Sequence, residues 1–173
     1  MLLSDISIRN AALYKQLITP FEDKLLSPAS YDVRLGPQLI EWPGTKYEKK
    51  IDISKETYRM KQGAFVLGTT IETLDIPKTL GGKFEGKSSL GRQGLMTHVT
   101  AGFIDPGFRG QITLELHNVN KASLGLYYGM KIGQLAFHVM DQLPAQTYAT
   151  GHHYQNQLGP QKALANIIIE EEW

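Results

Sequence analysis

Lys87, Ser88, Ser89 and Arg92 place two cations and two hydroxyls within six residues, and Gly86 and Gly91 let backbone amides come close to a ligand. Such a set suits a phosphate group. The same Gly-Ser-Lys composition also makes an ordinary hairpin turn with a basic flank, and composition alone favours the turn. Gly81 to Ser88, GGKFEGKS, literally satisfies the phosphate-loop pattern. That loop needs a buried strand before it and a long helix after it, because the helix N-terminus supplies the field and the amides. Here Pro77 interrupts the preceding segment, and Gly91 and Gly94 come after the match, each costing roughly 1 kcal/mol relative to alanine inside a helix. The literal match is therefore discounted.

Two further stretches carry chemistry. Thr100 to Gly110 reads TAGFIDPGFRG: two glycine-containing turns bracket Phe103-Ile104, read as buried, and present Asp105 just before Pro106. Asp105 either caps the Asp-Pro-Gly turn, for which its side chain is well suited, or binds a sugar hydroxyl or a water, with Phe108 packed against the sugar face. In Ile112 to Asn118 a period of two puts Ile112, Leu114 and Leu116 on one face and Thr113, Glu115 and His117 on the other. A glutamate on the polar face of such a strand is ordinarily just solvated. If that face lines a cleft, Glu115 becomes a partly desolvated carboxylate on a rigid support, suited to accepting and returning a proton.

The elements that must hold these residues are mostly strands. Ser4 or Asp5 is expected to cap a short helix through about Leu17, with Ile8, Ala11, Ala12 and Leu13 at roughly helical spacing; no other helix is expected. From Tyr31 on, short β-like runs separated by Gly, Pro, Asp and Asn include Tyr31 to Leu35, Ala64 to Thr70, Gln111 to His117 and Lys131 to Met140. Hairpin-like spacing without crossover helices indicates an all-β barrel or jelly-roll-like fold. Residues 146–161 are polar and irregular and read as a mobile tail or lid, and Ile167 to Ile169, before three glutamates and Trp173, as a short edge strand.

Length and charge bound the remaining possibilities. At 173 residues with 42% apolar content, one compact domain spanning 1–173 is expected. A net charge of +1 offers no bulk attraction to nucleic acid or an anionic membrane, so phosphate binding has to be local. No spanning apolar run or export signal is evident, which makes the cytoplasm the default expectation. The absence of cysteine excludes disulfides, thiol nucleophiles and cysteine zinc sites, and the histidines at 98, 117, 138, 152 and 153 lack zinc-protease spacing. No metal ligation by protein side chains is expected, and no zinc.

EGKSSLGRQGL, HVTAGFIDPGFRGQITLELHN and GMKIGQLAF, in this order and spacing, resemble the dCTP deaminases of the dUTPase superfamily, and the likeness runs from about Ser27 to Tyr154. The resemblance implies a mainly β, distorted jelly-roll or β-clip-like fold in a homotrimer, with active sites between subunits. Lys87, Ser88, Ser89, Leu90, Gly91 and Arg92 would hold the triphosphate and shape the pocket, with Ser88 also positioning a water. Glu115 matches the catalytic glutamate, and the Ala101 carbonyl would help hold the water. Thr113 and Gln134 fall where the pyrimidine is contacted, Asp105 and Phe108 would face the deoxyribose, Tyr148 and Gln157 match tail positions that close over the nucleotide, and Leu114 and His153 are further substrate-binding candidates. Cytidine deaminases of the usual kind activate water with zinc through cysteines, which this chain lacks. Magnesium is expected only through the substrate's phosphates.

Within that family, deaminases that release dUTP commonly read His-Arg after the Thr-Ala pair, whereas the form that also removes diphosphate, giving dUMP, resembles the Gly102-Phe103 found here. The dUMP-forming branch is thus favoured, with Asp105 orienting a water toward the α-phosphate; dUTP is a further candidate substrate and dTTP a candidate inhibitor. The tail departs from the pattern: His153 stands where a lysine is expected and Leu158 where an arginine is, both losing permanent charge, with Lys162 a candidate replacement. A pure dUTPase would end in a glycine-rich tail with an Arg-Gly pair, absent here. A non-catalytic nucleotide-binding regulator is the other rival, against which the retained Glu115, Ser88, Arg92 and Asp105 argue.

Overall fold

The computed structural model describes residues 1–100, 102–149 and 153–164. Residues whose side chains alternate between apolar and polar build two large antiparallel sheets, beside a two-stranded one of Tyr58–Met60 and Leu124–Leu126. In the larger, Lys49–Asp52, Gln38–Glu41, Phe65–Asp75, Arg109–Asn118 and Leu95–Met96 lie side by side, and Ile18–Thr19 pairs with the far end of Phe65–Asp75. The second runs Phe103–Ile104, Leu80–Gly86, Lys131–Val139, Ser30–Arg34 and Leu26–Ser27. Both contribute to one cluster of buried side chains: Val66, Leu114 and Leu116 from the first, and Tyr31, Phe84, Leu135 and Phe137 from the second.

The mainly β expectation holds, and the four runs read from the sequence fall on Ser30–Arg34, Phe65–Asp75, Arg109–Asn118 and Lys131–Val139. Gly81 to Gly86 belongs to the strand Leu80–Gly86, so the phosphate-loop match is a strand. The chain then makes a single helical turn, Ser88–Gly91, an element not expected from the sequence, and leaves it through further turn bonds that end at Gly94, φ +85°. The N-terminal helix spans Asp5–Lys15 and buries Ile8 and Ala12. Leu13, expected on the same stripe, is instead exposed, because the helix meets the sheet along a line too narrow to include it. Ser4 occupies the N-cap without a side-chain cap hydrogen bond. The proposed edge strand at Ile167 to Ile169 and Trp173 lies outside the described residues.

A buried polar network ties the helix side of the molecule to both sheets. Glu72 is fully buried and accepts hydrogen bonds from the backbone N–H of Arg34 (2.8 Å) and from its Nε (2.7 Å). The same guanidinium reaches Glu22, whose backbone N–H donates to the Tyr31 hydroxyl at 2.9 Å. Burial pushes the Tyr31 hydroxyl up to about 12, keeping it a neutral member of the network. Removing one partner of a buried pair costs far more than the pair contributes, since the other charge stays behind without compensation. Arg34→Met is therefore expected to destabilise the fold by about 3–5 kcal/mol in urea titrations, and Arg34→Met with Glu72→Leu to recover part of that loss.

Candidate active site

Alternation along Arg109–Asn118 decides which side chains face the core. Leu114 and Leu116 are fully buried, and Thr113, Glu115 and His117 turn the other way, half-buried. The register with Phe65–Asp75 shifts between Gln111 and Thr113, and this irregularity turns Ile112 as well as Thr113 toward a cavity of about 660 Å³. Glu115 lines the same cavity with Asp105 and Phe108. Its Oε2 accepts hydrogen bonds from the backbone N–H of Val99 at 2.8 Å and of Thr100 at 3.3 Å. No cation pairs with this carboxylate among the described residues, so it is held in place without being neutralised.

Asp105 is exposed, and the turn it opens is closed by its backbone: the Phe108 N–H donates to the Asp105 carbonyl at 3.1 Å. The carboxylate is thus not spent on capping the turn. Phe108 is buried and meets the Tyr148 ring edge-on, centroids 5.4 Å apart. Burial raises the Tyr148 hydroxyl above its ordinary range, and the nearby Asp105 charge adds to the shift. Phe103, read as buried together with Ile104, is 71% exposed, whereas Ile104 is buried in the core; strand alternation separates them in burial, and both line the cavity. At Gly102 a Cβ would lie 2.6 Å from the Phe84 carbonyl oxygen, and the Phe84 N–H donates to the Gly102 carbonyl at 2.7 Å. Any side chain at 102 would need a different chain path.

The tail is ordered along the strand where it is described. Gln111 N–H donates to the Gln157 carbonyl at 3.0 Å, Gln157 Nε2 to the Gln111 carbonyl at 2.6 Å, and Gln161 N–H to Thr113 Oγ1 at 3.1 Å. Tyr148, Tyr154 and Gln157 thereby wall the Glu115 cavity. His153 is exposed, and Leu158 is 71% exposed. Lys162 lines the cavity but its ammonium pairs with Glu48 at 2.9 Å.

The basic cradle occupies a second cavity of about 420 Å³, lined by Lys87, Ser88, Ser89, Gly91 and Gln134. Leu90 packs against the core and Arg92 is exposed with no acidic partner among the described residues. Thr97 and His98, which the motifs did not single out, line this cavity too, each with a buried polar atom lacking a partner. Nothing local in the sequence marks them. Among the described residues, no lining residue is common to the two cavities. Within one chain Gln134 therefore sits with the cradle rather than with Thr113, and Leu114, fully buried, has only backbone to offer a ligand. Ala101 lies outside the described residues.

A family model described as dCTP deaminase-like matches residues 2–140. The chain belongs to that family. Among curated relatives of this dCTP deaminase-like chain, a dUMP-forming dCTP deaminase of Corynebacterium jeikeium (strain K411) is 44% identical, with 98% of this chain and all of that protein covered. One of Mycobacterium sp. (strain KMS) is 46% identical over 92% of this chain and 93% of its own length. Among solved structures, the 2'-deoxycytidine 5'-triphosphate deaminase of Agrobacterium tumefaciens superposes with a TM-score of 0.69 at 22% identity. That match covers 80% of this chain and 48% of the other, and shows a shared fold.

Gly110, at φ +142°, brings the tail against the strand: a Cβ there would lie 2.9 Å from the Gln157 backbone nitrogen. Gly110→Ala is expected to detach the tail, so that limited proteolysis cuts beyond Tyr148 at least tenfold faster while the melting temperature falls only by a few degrees, about 1 kcal/mol or less.

Proposed function

We propose that this dCTP deaminase-like chain hydrolyses dCTP first at the base and then at the α-phosphate, giving ammonia, diphosphate and dUMP. The observation that carries the reading is the Glu115 carboxylate, fixed by two backbone amides and facing a cavity with Asp105, without a cationic partner among the described residues. The names of the two relatives, both dUMP-forming dCTP deaminases, support it.

Deamination at C4 needs a nucleophilic water, a proton on N3 and a proton on the departing amine. Glu115 takes a proton from the attacking water, delivers it to N3, then carries the second water proton to the amine, which leaves as ammonia. The carbonyl of Ala101 and the hydroxyl of Ser88 help hold that water. Thr113 and Gln134 contact the pyrimidine, Phe108 and Asp105 the deoxyribose, and Tyr148, His153 and Gln157 belong to the closing tail. In the second hydrolysis Asp105 orients a water toward the α-phosphorus while Lys87, Ser88, Ser89 and Arg92 stabilise the charge that develops on diphosphate. The backbone contact at Gly102 favours this branch, because the His-Arg of dUTP-releasing deaminases could not follow the same path. Released or added dUTP would enter at the second step, and dTTP, sharing the sugar and triphosphate, would compete for the pocket.

The cradle offers ammonium, guanidinium and hydroxyl donors, which bind phosphate oxygens rather than a cation. Magnesium fits this set as a companion of the triphosphate, held by substrate oxygens and lending them charge neutralisation. We further read the active enzyme as a homotrimer in the cytoplasm. The cradle and Glu115 sit in separate cavities of one chain, and the apolar Phe65, Met96, Val99 and Phe103 are exposed around them, so an adjoining copy would complete each site.

Glu115→Gln is expected to lower ammonia release from dCTP by about 10²- to 10⁴-fold while dCTP still binds. Arg92→Ala should be similarly impaired, and co-refolding the two inactive variants should restore roughly a quarter of the sites, because a shared site draws each residue from a different subunit. Unchanged ammonia release by Glu115→Gln would refute the reading, and failure of the mixture to recover would refute shared sites.

A further inference from the structure

Asp32 is a buried carboxylate that takes no part in the two hydrolyses. It is 4% exposed, in the middle of Ser30–Arg34, and directly opposite Gln134 on Lys131–Val139. Its Oδ1 receives the Lys87 ammonium at 2.5 Å and its Oδ2 the Lys131 ammonium at 3.0 Å. Two residues earlier on the same strand, Ser30 Oγ donates to Gln134 Oε1 at 3.3 Å. Tyr31 and Val33, between and beyond them, are fully buried in the core. One short strand thus anchors itself with alternate residues and, with the others, holds two side chains that line the cradle cavity, Lys87 and Gln134.

The charge arrangement has a direction. A carboxylate removed from water persists only if opposite charge and hydrogen bonds compensate it, and here two ammonium groups do so. Asp32, Lys87 and Lys131 together carry one net positive charge, and of the three Lys87 lines the cavity. The Lys87 side chain is 26% exposed, and an ammonium has three donors, of which Asp32 takes one. The flexible lysine stem is thereby fixed before an anion arrives, beside the cavity that Lys87, Ser88 and Ser89 line.

We infer that Asp32 is a positioning residue of the phosphate cradle: through its salt bridge it orders Lys87, and hence the entry into the Ser88–Gly91 turn, for a polyphosphate chain. This rests on the dCTP reading for the identity of the substrate but not for the phosphate chemistry. Asp32 touches no reacting atom. Its effect passes through Lys87, so it acts on affinity for the phosphate chain and leaves the deamination step alone.

The test is a double-mutant cycle of Asp32→Asn and Lys87→Met on the full chain. KM and kcat for dCTP are measured beside the calorimetric Kd of inorganic triphosphate. Asp32→Asn should raise KM and the triphosphate Kd together by about 10- to 100-fold, with kcat of ammonia release within about threefold of wild type. The double variant should bind no more than about threefold worse than Lys87→Met alone, since both remove the same link. A lower melting temperature with unchanged KM and Kd would reduce Asp32 to a structural role and overturn the inference, and so would effects that multiply, or tighter binding by Asp32→Asn. Should Asp32→Asn fail to fold, Asp32→Glu keeps the charge but displaces it, and the same weakening is expected; an unchanged Kd overturns the proposal. If wild type releases no ammonia from dCTP, the functional reading fails while the triphosphate Kd still decides the role of Asp32.

Discussion

The two hydrogen bonds from the Val99 and Thr100 amides to Glu115 are the interaction around which the rest of the site is arranged. An amide fixes a carboxylate oxygen in place without bringing a counter-charge or a second titrating group to it, whereas a lysine or arginine in the same place would engage it in a salt bridge. The strand that carries Glu115 has to be rigid for this to work, and it is: Arg109–Asn118 pairs with Phe65–Asp75 along nearly its full length, with Leu95–Met96 on its other edge. The fully buried Leu114 and Leu116 fix which way Glu115 faces, because a one-residue slip would send them to the cavity and the glutamate to the core.

The second sheet solves a different electrostatic problem. A cradle for three phosphates needs concentrated positive charge, and bare lysines a few ångströms apart repel one another. Burying Asp32 between Lys87 and Lys131 moderates that repulsion and leaves the three groups with one net positive charge. Arg92, without an acidic partner among the described residues, stays available to an anion. The two sheets are therefore specialised in the proposed reaction: one carries the carboxylate proposed to transfer protons, and the other anchors, through Asp32, the turn that holds the proposed cations and hydroxyls. Their separation into two cavities of a single chain is what makes assembly part of the proposed chemistry.

Much of this was legible in the residues because strands have a short and simple period. Alternation in Ile112 to Asn118 told the face of Glu115 correctly, and the turn residues around Asp105 marked its place at a bend. The same alternation separates Phe103 from Ile104, expected as a buried pair: adjacent strand residues point to opposite faces, and Phe103 is exposed while Ile104 is in the core. Leu13 failed for a related reason, since helical spacing says which residues share a stripe but not how wide the contact is. The Asp32–Lys87 bridge joins residues 55 positions apart, and the contact of the tail with Gly110 joins residues 47 apart, so neither leaves a local pattern. Thr97 and His98 line the cradle through the fold alone.

Running the reaction of dCTP with magnesium in ¹⁸O-enriched water, and locating the label by mass spectrometry, tests most directly that two hydrolyses take place in one pocket. The expected product is dUMP carrying one ¹⁸O on C4 of the base and one on the phosphate, with unlabelled diphosphate and little free dUTP. Singly labelled dUTP accumulating in place of dUMP would contradict the coupled reaction, and base oxygen without label would contradict deamination by water held at Glu115.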